Sequence, residues 1–103
     1  MVNDLTDGTA NKGYRILVVD DEEDLCEILK FNLETEGYTV ETANSAEEAL
    51  TLDIANFNLL LLDVMMGGMS GYSLAKKLKA APATAQIPII FLTARDSEND
   101  TIT

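Results

Sequence analysis

Residues 57–74 read FNLLLLDVMMGGMSGYSL. An apolar run ends on one aspartate, Asp63. A glycine-rich turn follows, and then a new amphipathic segment begins. The run is continuous rather than alternating, the pattern of a strand buried on both faces, as in a parallel sheet. A second such run, ILVV at 16–19, leads into Asp20, Asp21, Glu22 and Glu23. A third, IPIIFL at 87–92, leads into Thr93 and Ala94. Three buried strands that each deliver a polar residue at the C-terminal end build one site, at the edge where open parallel sheets bind ligands. Acidic residues gathered there suggest a hard cation with something anionic on it.

The segments between these runs have helical spacing. Residues 22–36 carry Leu25, Ile28, Leu29 and Leu33, which predicts one apolar helix face. Gly37 then supplies a left-handed cap. Residues 38–43 alternate and are rich in β-branched side chains, so they predict a second strand near an edge. Ser45 with Glu48 forms a capping-box signature for a short helix through about Ile54. Residues 57–63 are the third strand. Ser70 or Gly71 opens a helix that turns Tyr72, Leu74, Ala75 and Leu78 inward and Lys76, Lys77 and Lys79 toward water. A loop with Pro82 precedes a fourth strand at 88–93, and Ser97 starts a further helix. Strands alternating with helices through short links give βαβ units. Right-handed crossovers then cover both faces of the sheet.

Composition narrows the function. The chain has 103 residues, enough for one small domain, and 47% are apolar. No apolar run reaches membrane-spanning length. Residues 1–13 lack the basic start and apolar centre of a signal peptide and read as a flexible lead-in. The single cysteine, Cys26, has no internal disulfide partner and fits a small core position. Together these features point to the cytoplasm. The 18 acids outnumber 7 bases, for a net charge of -11. That argues against direct nucleic-acid contact, which needs basic surface against phosphates. No histidine is present, which removes serine–histidine and cysteine–histidine nucleophile systems and argues against zinc.

Carboxylates, hydroxyls and lysines must therefore carry the chemistry. Asp20, Asp21 and Asp63 fall at one sheet edge, where like charges raise each other's pKa. Mg²⁺ resolves the conflict, because it takes carboxylate oxygens and keeps several waters. Aspartate is also a covalent phosphoryl acceptor. Asp63 is the candidate, since a rigid strand precedes it and a pliant turn follows. Thr93 offers a hydroxyl to a phosphoryl oxygen, and the amides of Val64 and Met65 offer donors. Each residue has a plainer role open to it. Asp20 or Asp21 can N-cap the first helix, Glu22 and Glu23 suit its solvated first turn, Asp63 can be a loop acid, and threonine suits a strand. The glycines at 67, 68 and 71 match neither GxxxxGK[ST] nor GxGxxG, so a nucleotide cradle is disfavoured. Met65, Met66 and Met69 suggest local packing or a partner surface.

ILVVDDEEDL, LLLLDVMMGGMSGYSL and IPIIFLTA, in that order and at these separations, resemble the receiver domain of two-component response regulators. The likeness covers residues 14–103. It implies a doubly wound, flavodoxin-like α/β sheet of order 2-1-3-4-5. By resemblance, Asp63 is the phosphoacceptor and Thr93 the switch hydroxyl. Asp20, Asp21 and Asp63 hold Mg²⁺ with the backbone carbonyl of Met65, and Met65 and Arg95 sit at positions that tune dephosphorylation. A sensor histidine kinase or phosphotransfer protein is the implied donor. The domain would modify itself and act on no diffusible substrate.

Two departures stand out. Gly67 replaces the proline usual in the family, which loosens the turn by about 0.4–1 kcal/mol. The family continues through a fifth strand, bearing a lysine that contacts the phosphoryl group, and a fifth helix, and the chain reaches Thr103 before them. The expected sheet is therefore 2-1-3-4, its apolar fourth strand an edge open to homo-oligomer formation. The alternative reading is a pseudo-receiver or inactive fragment acting only through protein interaction. A metal-dependent phosphatase would need an acid two residues past Asp63, where Met65 stands.

Overall fold

The computed structural model of the protein describes residues 13–92. Strand β1 (Arg15–Val19) leads to helix α1 (Glu23–Thr35), strand β2 (Thr39–Ala43) and the one-turn helix α2 (Ala46–Ala49). A 3₁₀ turn (Ile54–Asn56), strand β3 (Leu59–Asp63), helix α3 (Gly71–Ala80) and strand β4 (Ile89–Leu92) follow. All pairings are parallel, in the order β2-β1-β3-β4, as expected. Among the described residues no helix is long and apolar enough to cross a membrane. The lead-in at 1–12, Thr93, Arg95 and the helix expected from Ser97 lie outside the described residues.

The apolar strands are continuous because each face of the sheet has its own cover. Leu17, Val19, Leu60 and Leu62 face Ala46 and Ala49 of α2 and Leu74, Ala75 and Leu78 of α3. Ile16, Val18 and Leu61 point the other way, toward Cys26, Leu29 and Leu33 of α1. Leu17, Leu60, Leu62 and Leu74 are fully buried, which contributes about 1.5–3 kcal/mol each. The chain runs from β1 to β2 on one side and returns to β3 on the other. That reversal opens a crevice at the C-terminal ends of β1 and β3, where open sheets bind ligands.

Local chemistry sets the boundaries. Helix α1 ends as the spacing predicts. Gly37 takes φ 101°, its N–H donates to Glu34 O at 2.9 Å, and Tyr38 N–H donates to Leu33 O at 3.2 Å. This is a Schellman closure. Neither Asp20 nor Asp21 caps the start of α1. The N-cap is Glu22 with no side-chain cap bond, and acidic Glu23 and Asp24 complement the helix dipole.

Several expectations need correction. Ile28 is 57% exposed, because the stripe that meets the sheet is Cys26, Leu29 and Leu33, and residue 28 lies more than a quarter-turn away from it. Tyr72 is 60% exposed, well around the helix from buried Leu74 and Leu78. Its ring packs edge-on against Phe91 of β4, with centroids 4.8 Å apart. The second helix stops well short of Ile54. Ser45 Oγ accepts from Glu48 N at 2.9 Å as predicted, but the Glu48 carboxylate reaches past Ser45 to Asn44 N at 2.8 Å. Thr51 and Leu52 N–H then bond three residues back, and Thr51 Oγ1 donates to Glu48 O at 2.6 Å. This tightening ends the α-helical ladder. The third strand begins at Leu59, although Phe57 is buried ahead of it.

Lys79 is exposed as expected, but its head group is also bonded. Its Nζ donates to Ala85 O at 2.9 Å and to Ile87 O at 2.8 Å, closing the loop that carries the chain into β4. Replacing Lys79 by Met removes both charged donors. Urea unfolding is expected to show a loss of roughly 1 kcal/mol. Lys76→Met and Lys77→Met, on the open face of α3, should stay within about 0.5 kcal/mol of the parent.

Candidate functional site

The crevice is acidic by construction of the sheet. Val19 of β1 pairs with Leu62 of β3, so the next residues, Asp20 and Asp63, emerge side by side. Both are buried, at 0% and 1% exposure, while Asp21 is exposed. Carboxylate oxygens of Asp20, Asp21 and Asp63 lie within 4.8 Å of one another. The three acids expected at one sheet edge lie together there.

Asp20 is held by its backbone and its side chain. Its N–H donates to Ala43 O at 3.0 Å. Its carbonyl accepts from Cys26 Sγ at 3.3 Å and from Asn44 Nδ2 at 3.0 Å. Its Oδ1 accepts from Glu22 N at 2.9 Å, which ties the carboxylate to the entry of α1. Burial, and then the charge of Asp20, pushes the Cys26 thiol up to about 11. Cys26 therefore serves as a neutral packing group and weak donor, in keeping with a small core residue.

The donor set fits a hard divalent cation. Three carboxylates offer oxygen ligands only, and the exposed position of Asp21 leaves room for water in the coordination shell. No histidine is available to favour a softer metal.

The loop from Asp63 to α3 is built by its glycines, each in a different way. A Cβ on Gly71 would overlap the carbonyl oxygen of Asp63, and the Gly71 N–H donates to Val64 O at 3.1 Å. Helix α3 can therefore press directly against the end of β3 only with glycine there. Ser70 Oγ caps the same helix, accepting from Ser73 N at 3.1 Å. Gly68 adopts φ +76°, a left-handed backbone that disfavours other residues. The Glu47 carboxylate of α2 meets this bend and accepts from Met69 N at 3.4 Å. Gly67 differs, because nothing lies within 4 Å of its Cβ position and its backbone is not left-handed. The methionines divide as well. Met66 is core, Met69 packs against it, and Met65 is 63% exposed. Thr93 directly follows Leu92, the register partner of Asp63.

With this geometry in view, the comparisons with known proteins are decisive. The family model for the response regulator receiver domain matches residues 16–103. The chain belongs to the response regulator receiver domain family. Response regulator SaeR of Staphylococcus epidermidis is 42% identical over 87 residues, covering 84% of this chain and 37% of the relative. The phosphate regulon transcriptional regulatory protein PhoB of Rhizobium meliloti is 43% identical over 89 residues, covering 85% and 39%. The chain thus spans well under half the length of these relatives. Among solved structures, the N-terminal domain of a response regulator receiver protein from Methanoculleus marisnigri superposes with TM-score 0.72 at 37% identity, covering 84% of this chain and 75% of that one. The non-phosphorylated HemR receiver domain from Leptospira biflexa gives 0.71 at 39%, covering 79% and 64%. The receiver domain is a phosphoacceptor module of two-component signalling.

Sequence reading missed Asn44, Glu47 and the steric role of Gly71. A signal for Asn44 existed, since β2 lies beside β1 and a polar residue just past β2 reaches the same edge. The glycines can be separated by experiment. Gly67→Ala is expected to raise stability by about 0.4–1 kcal/mol, because the folded backbone accepts a methyl group and the unfolded chain loses freedom. Gly71→Ala should lower it by about 1–3 kcal/mol through overpacking on Asp63. Denaturant melts of the two variants against the parent check both signs.

Proposed function

We propose that residues 14–103 form a receiver that accepts a phosphoryl group on Asp63, behind a lead-in at 1–13. The observation that carries the reading is the approach of Asp20, Asp21 and Asp63 carboxylate oxygens to within 4.8 Å at the crevice. In this reading Asp20, Asp21 and Asp63 hold Mg²⁺ with the backbone carbonyl of Met65. Bound there, Mg²⁺ would neutralise charge on the phosphoryl oxygens. An Asp63 carboxylate oxygen forms the new bond to phosphorus. The phosphorus–nitrogen bond of a donor phosphohistidine breaks, and the electron pair returns to the imidazole. Burial at the end of β3 fixes the direction of Asp63, and the Gly71 contact fixes the peptide beside it. Water later attacks the acyl phosphate, releasing phosphate and restoring the carboxylate.

The remaining roles follow the family resemblance. Thr93 is the switch hydroxyl that moves toward the phosphoryl group. Arg95, Met65 and the loop at Gly67 tune how fast water reaches it. The donor is a sensor histidine kinase or phosphotransfer protein. The domain changes only itself and acts on no diffusible metabolite. The strongly acidic charge supports no direct nucleic-acid contact by this chain, and the reading assigns the domain to the cytoplasm.

Incubation with Mg²⁺ and acetyl phosphate, or with a beryllium fluoride mimic, tests the assignment by intact-mass or fluorine NMR measurement. The parent should gain the adduct. Asp63→Asn should not, and a chelator should prevent it in the parent. Equal labelling of Asp63→Asn would remove Asp63 from its role.

The same reading includes self-association through β4. Ile90 and Phe91 are 53% and 39% exposed on the strand that ends the described sheet, and such an edge is a template for pairing. Light scattering at tens of micromolar, roughly the range in which exposed edges associate, should show species larger than a monomer. A monodisperse monomer would exclude this contact.

A further inference from the structure

One side chain beside the acidic crevice has no part in the phosphoacceptor reading. Asn44 is the first residue after β2. The parallel ladder between β1 and β2 ends at Val19 and Ala43. At the next step the Asp20 N–H still donates to Ala43 O at 3.0 Å. The Asn44 side chain then reaches the Asp20 carbonyl. Its Nδ2 donates to Asp20 O at 3.0 Å and lies 3.6 Å from Cys26 Sγ. Cys26 Sγ donates to the same carbonyl at 3.3 Å. Asn44 is itself anchored, because its N–H donates to Glu48 Oε1 at 2.8 Å, and Glu48 belongs to α2. A chain of bonds therefore runs from α2 through Asn44 to the peptide of Asp20.

Resting on the metal site proposed above, we infer that Asn44 is a positioning residue for that site. Its amide fixes the Asp20 peptide so that the buried carboxylate stands beside Asp63 at ligand spacing. The physical argument is one of tolerance. A cation site needs its ligands held to within about 0.5 Å, and Asp20 is the one buried ligand that lies past the end of its strand. Asp63 is the last residue inside β3 and is held by the ladder itself, where Asp63 pairs with Leu92. Asp20 stands one step past the paired register of β1 and β2, and Asn44 adds a side-chain bond to its peptide there. Outer hydrogen-bond partners of metal ligands typically change metal affinity by about 10–100-fold when removed. With a backbone carbonyl between Asn44 and the ligand atoms, the lower end of that range applies.

A purely structural asparagine would stabilise the turn equally with and without metal, and this separates the two roles. Urea unfolding of the full chain is followed in chelated buffer and in Mg²⁺, for the parent and for Asn44→Ala. Bound metal adds stability that grows with the logarithm of its concentration over its dissociation constant. For Asn44→Ala, the Mg²⁺-dependent gain should shrink by the equivalent of about a tenfold weaker dissociation constant, or about 1.4 kcal/mol. An unchanged gain beside a lowered metal-free midpoint overturns the inference and leaves the metal site standing. No Mg²⁺-dependent gain in the parent removes the metal site itself and this inference with it. A second measurement uses only the parent. Coupling between sites is reciprocal, so Mg²⁺ should move the Asn44 side-chain amide peaks in a nitrogen–proton NMR spectrum. The Asn56 side chain, which donates to Asp53 Oδ2 at 2.7 Å outside the crevice, serves as reference. Asn44 shifts no larger than those of Asn56 overturn the inference.

Discussion

The register of β1 against β3 is the constraint on which the molecule turns. Val19 opposite Leu62 forces Asp20 and Asp63 to leave the sheet together, both out of contact with bulk water. The fold carries this arrangement because strands on both sides bury leucine and valine on two faces. The acidic end is tied back by main-chain donors and by α1. A one-residue slip of β1 would turn its whole apolar set to the opposite face, so the packing of the sheet and the geometry of the crevice are one specification.

Around that crevice the structure distributes stiffness unevenly. Asp63 ends a paired strand and abuts α3 at Gly71, a contact that no larger residue allows. Asp20 lies one step beyond its ladder and is held by Glu22, Asn44 and Cys26. Asp21 is open to solvent. The loop at 64–70 is less crowded, because nothing lies within 4 Å of the Gly67 Cβ position and the Glu47 carboxylate meets the bend through one long bond of 3.4 Å from Met69 N. Buried acids beside a glycine-bearing loop suit a receiver domain.

Much of the fold was legible because burial on two faces leaves an unambiguous mark. Runs such as ILVV and LLLL belong to few structures other than parallel strands, and each run stopped at an acid that the fold brings into one cluster. Gly37 announced its cap through a conformation only glycine adopts easily. The misreadings came from positions whose periodicity is degenerate. Ile28 and Tyr72 are apolar and lie near the right spacing, but a helix only a few turns long leaves the angle of its buried stripe uncertain. The sheet took Cys26 over Ile28, and Tyr72 lies outside the buried stripe, against Phe91. Lys79 is exposed like its neighbours, and only the fold shows its bonds to the loop carbonyls of Ala85 and Ile87. The second helix was overextended because a capping signal marks a start and says nothing about length.

By itself the sequence determined the strand and helix alternation, the acidic C-terminal edge and the identity of its three carboxylates. These depend on patterns local in the chain: apolar period, glycine placement and the residue that ends each run. Tertiary structure alone decided how the acids are held. The distance between Asp20 and Asp63, the bond from Asn44 to the Asp20 peptide, the Gly71 contact with Asp63 and the Glu47 approach to the loop all join residues far apart in sequence. Their partners are set by which strand lies beside which, and no local pattern encodes a neighbour that the folding of the rest of the chain brings into reach.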